Sequence, residues 1–392
     1  MLPDVKDLSK WAVIACDQFT SQPDYWDNVK EIAGDSPSAY NLILPEALLN
    51  DSGPDKIAQI NSAMEDYLRK ELFTLYRNSY IYVERKLIDG STRRGIVGVI
   101  DLEEYDYKPG STSLIRATEQ TVTERIPPRK KVRENAPIEL SHVILLCDDE
   151  QKNLIEPLTI TKHSMKKLYD FDLMLGGGNI KGWLVNGDHA RAFNTRMSAY
   201  IKRKRQELSL IFAVGDGNHS LAAAKACYES INDRMHPSRY AMVELENIHD
   251  DALKFEPIHR LVKNFNPVEL IDSINSEICT QNIKDSWPIN FYSGDKNGTI
   301  YINKSLGASP LIVLQKYLDS KDFEIDYIHD IEALKKLSSE SNNTGFELPP
   351  FDEKAKSEFF RVISESGVLP RKTFSMGHAQ EKRYYLEARR IK

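Results

Sequence analysis

Apolar and polar positions alternate in short blocks along the whole chain, and each block predicts a strand or a helix. Residues 11–16 (WAVIAC) predict a short buried strand with Asp17 at its carboxyl end. Residues 54–76 place Ile57, Ile60, Met64, Tyr67 and Leu68 on one helical face. Residues 80–105 read as two alternating strands around Asp89-Gly90-Ser91, a hairpin. Residues 142–149 (HVILLCDD) predict a strand ending in acids. A helix near 162–170, a Gly176-Gly177-Gly178 loop, the strand GWLV and a helix from about 189 to 204 follow.

The next block is the most informative. An apolar run, 208–214, stops at Gly215-Asp216-Gly217-Asn218-His219-Ser220, and a helix-prone stretch, 221–228, follows at once. The pattern predicts a buried strand, a tight glycine turn and a helix. Such a junction aims free backbone N–H groups and the positive helix end at one spot, where a phosphate or carboxylate is readily held. The alternative is an ordinary turn in which Gly217 and Asn218 supply positive φ and Ser220 caps the helix. Further strands are expected at 239–247, in FEPIHRLV, and as a last pair, KTFSM with RYYLEA. Residues 264–300 mix turns with a short helix, and 338–345 (SSESNNTG) reads as an exposed loop. The expected organisation is a core over 1–265 carrying the phosphate site, with a C-terminal α/β extension, 266–392, packed on it. Hairpins interrupt the order, so the expected class is α/β with a mixed sheet.

Composition narrows the function classes. Lys plus Arg is 52 and Asp plus Glu 58, a formal charge of −6, which argues against nucleic acid as a partner. Cys16, Cys147, Cys227 and Cys279 are far apart, without a CxxC pair, and read as reduced thiols. No run approaches membrane-span length and the first residues lack an apolar signal core, so a cytoplasmic protein is expected. A homodimer is left open.

Several polar groups are candidates for chemistry. Asp17 follows a strand directly and would orient a ligand ammonium or cap a turn. Residues 115–135 combine Arg116, Glu119, Thr121 and Arg125 with the basic run Arg129, Lys130, Lys131 and Arg133. That mixture suits a polyanionic ligand with Glu119 as general base, or else a solvated charged helix. His259-Arg260 sits between apolar residues and needs a partner, structural or ligand. Lys372 and Thr373 open a strand near the end. GxSxG, HExxH and P-loop motifs are absent from the sequence.

These segments together resemble the bacterial and archaeal family called domain of unknown function 1015. The resemblance rests on CDQF, SPSAYNLILPE (36–46), Glu119-x-Thr121, GDGNHSLA, EPIHRLV, YIHD and LPRKTF, in the family's order. More distantly, Asp216-Gly217-Asn218-His219-Ser220 resembles the Asp-Gly-His-His-Arg turn of free serine kinases in the ParB/sulfiredoxin superfamily. That resemblance implies a ParB/sulfiredoxin-like core with added strands and helices. It implies a phosphotransferase working between a nucleotide, ATP or ADP with Mg²⁺, and a small hydroxy amino acid such as serine.

By the same resemblance Glu119 takes the role of catalytic base, with His219 and Asp216 in the catalytic turn. Gly215, Gly217, Asn218, Ser220, Arg116, Thr121, His259 and Arg260 are expected around nucleotide phosphate. Asp216 is the expected metal ligand, and Asp17, Lys372 and Thr373 are expected near substrate. The chain departs from the kinase pattern at Asn218, Ser220 and Thr118. A phosphohydrolase using the same anion site, and a non-catalytic nucleotide-binding protein, are the alternatives.

Overall fold

The computed structural model describes residues 1–48, 54–294, 296–370 and 372–392, so Arg371 of LPRKTF lies outside the described residues. The chain forms two compact units, Met1–Leu253 with Gly377–Lys392, and Lys254–Met376. The break expected at 265 thus falls at 253/254, and the final segment returns to the first unit.

The first unit is built on a mixed sheet of nine strands. In spatial order they are Lys167–Asp172, Asn179–Val185, Tyr80–Lys86, Thr92–Asp101, Tyr240–Asn247, Ile144–Cys147, Phe212–Asp216, Ile115–Ala117 and Tyr105–Asp106. The class is mixed α/β, as the interleaved pattern predicts. Period-two alternation sorts the side chains. Ile81, Val83, Val97 and Met242 enter the core on one face with Trp11 and Trp26, while Tyr82, Ile96, Ala241 and Val243 enter the core on the other. The expected hairpin is present, with Tyr80–Lys86 antiparallel to Thr92–Asp101.

Direction within this sheet places the site. Phe212–Asp216 runs parallel to Ile115–Ala117, with Val214 opposite Ala117. On its other side it is antiparallel to Ile144–Cys147, with Asp216 opposite Ile144. The carboxyl end of the first two strands therefore meets the amino end of the third.

Several local expectations are corrected. The helix of 54–76 is Pro54–Arg69, and Phe73–Thr74 is already strand. Residues 162–170 are not a helix: a short helix, Pro157–Thr161, and a 3-10 turn precede the strand Lys167–Asp172. KTFSM and RYYLEA do not pair with each other. Phe374–Met376 pairs with Phe255–Pro257, and Tyr384–Tyr385 pairs with Val13–Ile14.

The second unit carries an antiparallel sheet of five strands, in the order Lys296–Asn303, Ser286–Ser293, Thr344–Glu347, His259–Lys263 and Glu324–Ile328. Leu270 and Ile274 of Pro267–Glu277 and Leu314 and Leu318 of Pro310–Asp319 bury against Phe346 in its core. Among the described residues, no helix is long and apolar enough to cross a membrane, and all four cysteines are free.

Candidate functional site

The strand Phe212–Asp216 ends in the predicted turn, and the helix Asn218–Glu229 starts immediately after it. Gly217 supplies the turn with φ +82°. A Cβ there would stand 3.1 Å from the Val143 Cα and 3.0 Å from its Cγ2, so both the backbone sign and the close approach require glycine. Asn218 is already helical, and Ser220 is in the first turn rather than at the cap, which is Gly217. The first intrahelical bond runs from Leu221 N–H to the Gly217 carbonyl at 3.0 Å, so the amides before it face the helix end.

Glu119 stands two residues past Ala117, as Asp216 stands two past Val214, and those two strand residues are paired in parallel register. The Thr118 hydroxyl locks this end by donating to the Val214 carbonyl at 2.7 Å. The Val122 N–H donates to His219 Nε2 at 3.1 Å, drawing the segment after Glu119 over the helix start. The Asp216 Oδ1 accepts from the Gly217 N–H at 2.8 Å, and its Oδ2 lies 3.5 Å from Lys382 Nζ. Two polar atoms at this end, Asn218 Oδ1 and Thr121 Oγ1, are buried without a hydrogen-bond partner among the described residues. Buried polar atoms are nearly always paired, so each of these two has hydrogen-bonding capacity that a water or a ligand could meet.

A second group, not anticipated from the sequence, borders the same helix start. His142 Nδ1 lies 2.7 Å from the Tyr385 hydroxyl, which donates to Cys16 Sγ at 3.0 Å. His142 Nε2 lies 3.4 Å from Ser220 Oγ. The same Nε2 is 3.8 Å from Asp17 Oδ1. Burial works against the Asp17 carboxylate, but the nearby His142, the Gln18 hydrogen bond, Lys382 and Arg129 hold its carboxyl below the ordinary aspartate value. Burial and the Asp17 charge push the Cys16 thiol up to about 11. Behind Ser220 and His142 opens a cavity of about 140 Å³, lined by aliphatic side chains together with Glu46, Arg129, Arg133, Glu139 and Tyr385.

Asp17, Glu119, Thr121, Asp216, Gly217, Asn218, His219 and Ser220 therefore share the first unit's strand ends. Arg116 does not join them. It lies mid-strand, and its guanidinium donates to the Ser111 carbonyl at 2.9 Å and to Ser209 Oγ at 3.0 Å, both at the amino end of the paired strands. His259, Arg260, Lys372 and Thr373 belong to the second unit. There His259 Nδ1 accepts from Leu348 N–H at 3.1 Å, and burial lowers the pKa of its ring. Arg260 is fully buried, bonded to Gln315 and the Ile258 carbonyl, with its guanidinium 4.7 Å from the Tyr327 ring centre. Lys372 Nζ lies 5.1 Å from that same ring, and the Thr373 hydroxyl donates to the Pro370 carbonyl.

One further group of metal-ligating residues, Asp148, Glu150 and His249, brings ligand atoms within 4.8 Å of one another. Asp148 already accepts from Lys204 Nζ at 2.7 Å and lies 2.8 Å from His249 Nε2, so its carboxylate is held in an ion-pair network. It follows the carboxyl end of Ile144–Cys147, opposite the end that carries Asp216.

Comparison with known structures finds similarity at low identity. SbnI with a C-terminal truncation from Staphylococcus aureus is 12% identical, with TM-score 0.38, over 72% of this chain and 83% of that one. A free serine kinase in complex with AMP is 12% identical, with TM-score 0.39, over 74% of this chain and 90% of that one. A conserved hypothetical protein from Pyrococcus furiosus is also 12% identical, with TM-score 0.36, over 75% of this chain and 95% of that one. No curated protein matches in sequence. The family model described as "Protein of unknown function (DUF1015)" matches residues 3–390, and the chain belongs to that family.

Proposed function

We propose that the first unit transfers a phosphoryl group between a nucleotide and a small hydroxy compound. The observation that supports this reading is the parallel register that sets Glu119 and Asp216 each two residues past a paired strand position, at neighbouring strand ends, with a helix starting just after Asp216. Phosphoryl transfer is mostly positioning and charge neutralisation, and it needs an anion site, cations and a base. The amides of residues 218–220 supply the anion site, assisted by the positive end of a twelve-residue helix. Asn218 Oδ1 and Thr121 Oγ1 offer polar contacts that the protein leaves open. Lys382, beside Asp216, supplies a cation.

In the forward direction the bond between the terminal phosphorus and its bridging oxygen breaks, and the nucleotide leaves with that oxygen. The acceptor oxygen forms the new bond to phosphorus, and its proton passes to Glu119. His219, held as an acceptor at Nε2 by Val122, carries its proton on Nδ1 and positions the loop rather than moving that proton. Asp17 would hold a substrate ammonium.

Mg²⁺ fits Asp216. Its carboxylate stands at the strand end beside the proposed phosphate site, and Mg²⁺ is commonly held by one or two carboxylates together with phosphate oxygens and waters. When bound, the ion would neutralise charge on the phosphates, with Lys382 as its competitor at Oδ2.

The test is thermal denaturation with ATP or ADP and Mg²⁺, followed by phosphoryl-transfer assays across hydroxy amino acids. A ligand that binds only the folded state raises stability by RT ln(1 + [L]/Kd), so nucleotide should raise the melting temperature in a graded way. Release of inorganic phosphate from a phosphate ester without nucleotide would instead establish a phosphohydrolase. Absence of any nucleotide effect at millimolar concentration would end the kinase reading.

A further inference from the structure

The cavity behind the phosphate turn has an aliphatic wall, with Arg129, Arg133 and Tyr385 also on its lining. Leu42, Met64, Val132, Ile138, Ala223 and Met242 line it, and all six belong to the first unit. Its uncharged polar lining is Cys16, Ser141, His142, Ser220 and Tyr385, with His142 and Ser220 3.4 Å apart beside the helix start. The two acids on its wall are already neutralised. Glu46 pairs with Arg129, and Glu139 is held by Arg133, Arg389 and the Met242 N–H. A polar heterocycle would find no free partner in those carboxylates, whereas a hydrocarbon group loses nothing there.

Size sets the occupant. At about 140 Å³ the cavity is close in volume to engineered apolar cavities of about 150 Å³ that take up benzene. Free serine carries no group that would fill it.

We propose that this cavity receives an apolar side group of the phosphoryl acceptor, so that the acceptor is a hydroxy compound bearing a branched aliphatic or aryl substituent of about four to six carbons. The hydroxyl end of such an acceptor lies toward Ser220 and the anion site, and its hydrocarbon end fills the space against Ala223. This rests on the phosphotransfer reading for the role of the occupant, though not for its chemistry.

The experiment has a binding arm and a turnover arm. In the first, thermal denaturation is run with benzene, with 3-phenylserine, with adenosine and with MgATP, on wild type and on Ala223→Leu, which fills the cavity. Benzene and 3-phenylserine should raise the melting temperature of wild type and not of Ala223→Leu, while MgATP stabilises both. Should Ala223→Leu fail to fold, Ala223→Val gives the same contrast in smaller measure. In the second arm, 3-phenylserine and 3-hydroxyleucine should exceed serine in kcat/KM by about tenfold or more, the discrimination an apolar pocket provides.

MgATP stabilisation with no effect of either apolar probe overturns the cavity assignment and leaves the phosphotransfer reading standing. Competition between adenosine and benzene assigns the cavity to the nucleotide base and overturns the acceptor proposal. Apolar probes that bind without any nucleotide effect or phosphoryl transfer refute the phosphotransfer reading, and the acceptor role falls with it.

Discussion

The Val122 amide and the His219 ring are joined by a 3.1 Å hydrogen bond in which Nε2 is the acceptor. It couples the segment just beyond Glu119 to the first turn of the helix that offers the anion site. Two substitutions should therefore fail in different ways. Glu119→Gln keeps shape and hydrogen bonding but removes the base, and should lower turnover roughly 10²–10⁴-fold with nucleotide affinity nearly unchanged. His219→Ala releases the 118–122 segment and should weaken affinity and turnover together. Steady-state kinetics with independent binding measurements decide the matter. Equal losses of affinity in both variants would make Glu119 a binding or structural residue.

Gly217 is expected to tolerate no side chain. The left-handed conformation costs an L-residue roughly 1–2 kcal/mol, and the approach to Val143 adds strain. Gly217→Ala should lower unfolding free energy by at least about 1 kcal/mol, and Gly217→Val by more. Both should blunt nucleotide stabilisation, because the amides turn with the backbone. Urea denaturation with and without nucleotide reads both effects, and an unperturbed Gly217→Val would contradict the turn geometry.

The strand–turn–helix at 212–229 and the hairpin at 80–101 were legible because local patterning alone specifies them. The other half of the site was not legible. A search for chemistry at strand carboxyl ends leads to Asp148 and Asp149 after Ile144–Cys147. That strand is antiparallel to Phe212–Asp216, so its amino end, at His142, faces the turn instead. Direction within a sheet is a non-local property that residues 142–149 do not encode by themselves. Tyr385 was hidden for a similar reason: it reaches Cys16 across 369 positions, through the return of the last segment to the first unit. Arg116 misled because composition near Glu119 says nothing about which end of a strand a long side chain reaches.

Cys16 lies beside Asp17 and His142, an arrangement that resembles a thiol nucleophile with its base. Its electrostatics oppose that role. Burial and Asp17 hold the thiol protonated up to about pH 11, and His142 turns Nδ1 toward Tyr385 rather than toward sulfur. Cys16→Ser should retain turnover far better than Glu119→Gln, and native Cys16 should alkylate slowly at pH 8 compared with the unfolded chain. Rapid alkylation with parallel loss of activity would restore a cysteine mechanism.

Glu246 gives the fold a pH dependence of definite sign. It is fully buried on Tyr240–Asn247, and burial, with the charges of Glu244 and Asp250, pushes its carboxyl up to about 8. Arg93 Nε, 2.9 Å away, pulls in the other direction without offsetting the burial. In the unfolded chain a glutamate titrates near about 4.3, so between that value and about 8 the native state holds a proton that the unfolded state has lost. Stability must then fall as pH rises through this window, because unfolding releases the proton. Glu246→Gln removes the titration while keeping an acceptor for Arg93, and its stability should decline less between pH 5 and pH 8 than that of wild type. Chemical denaturation across that range is the measurement. Parallel curves for the two proteins would show that Glu246 is ionised throughout, paired with Arg93 as a buried ion pair.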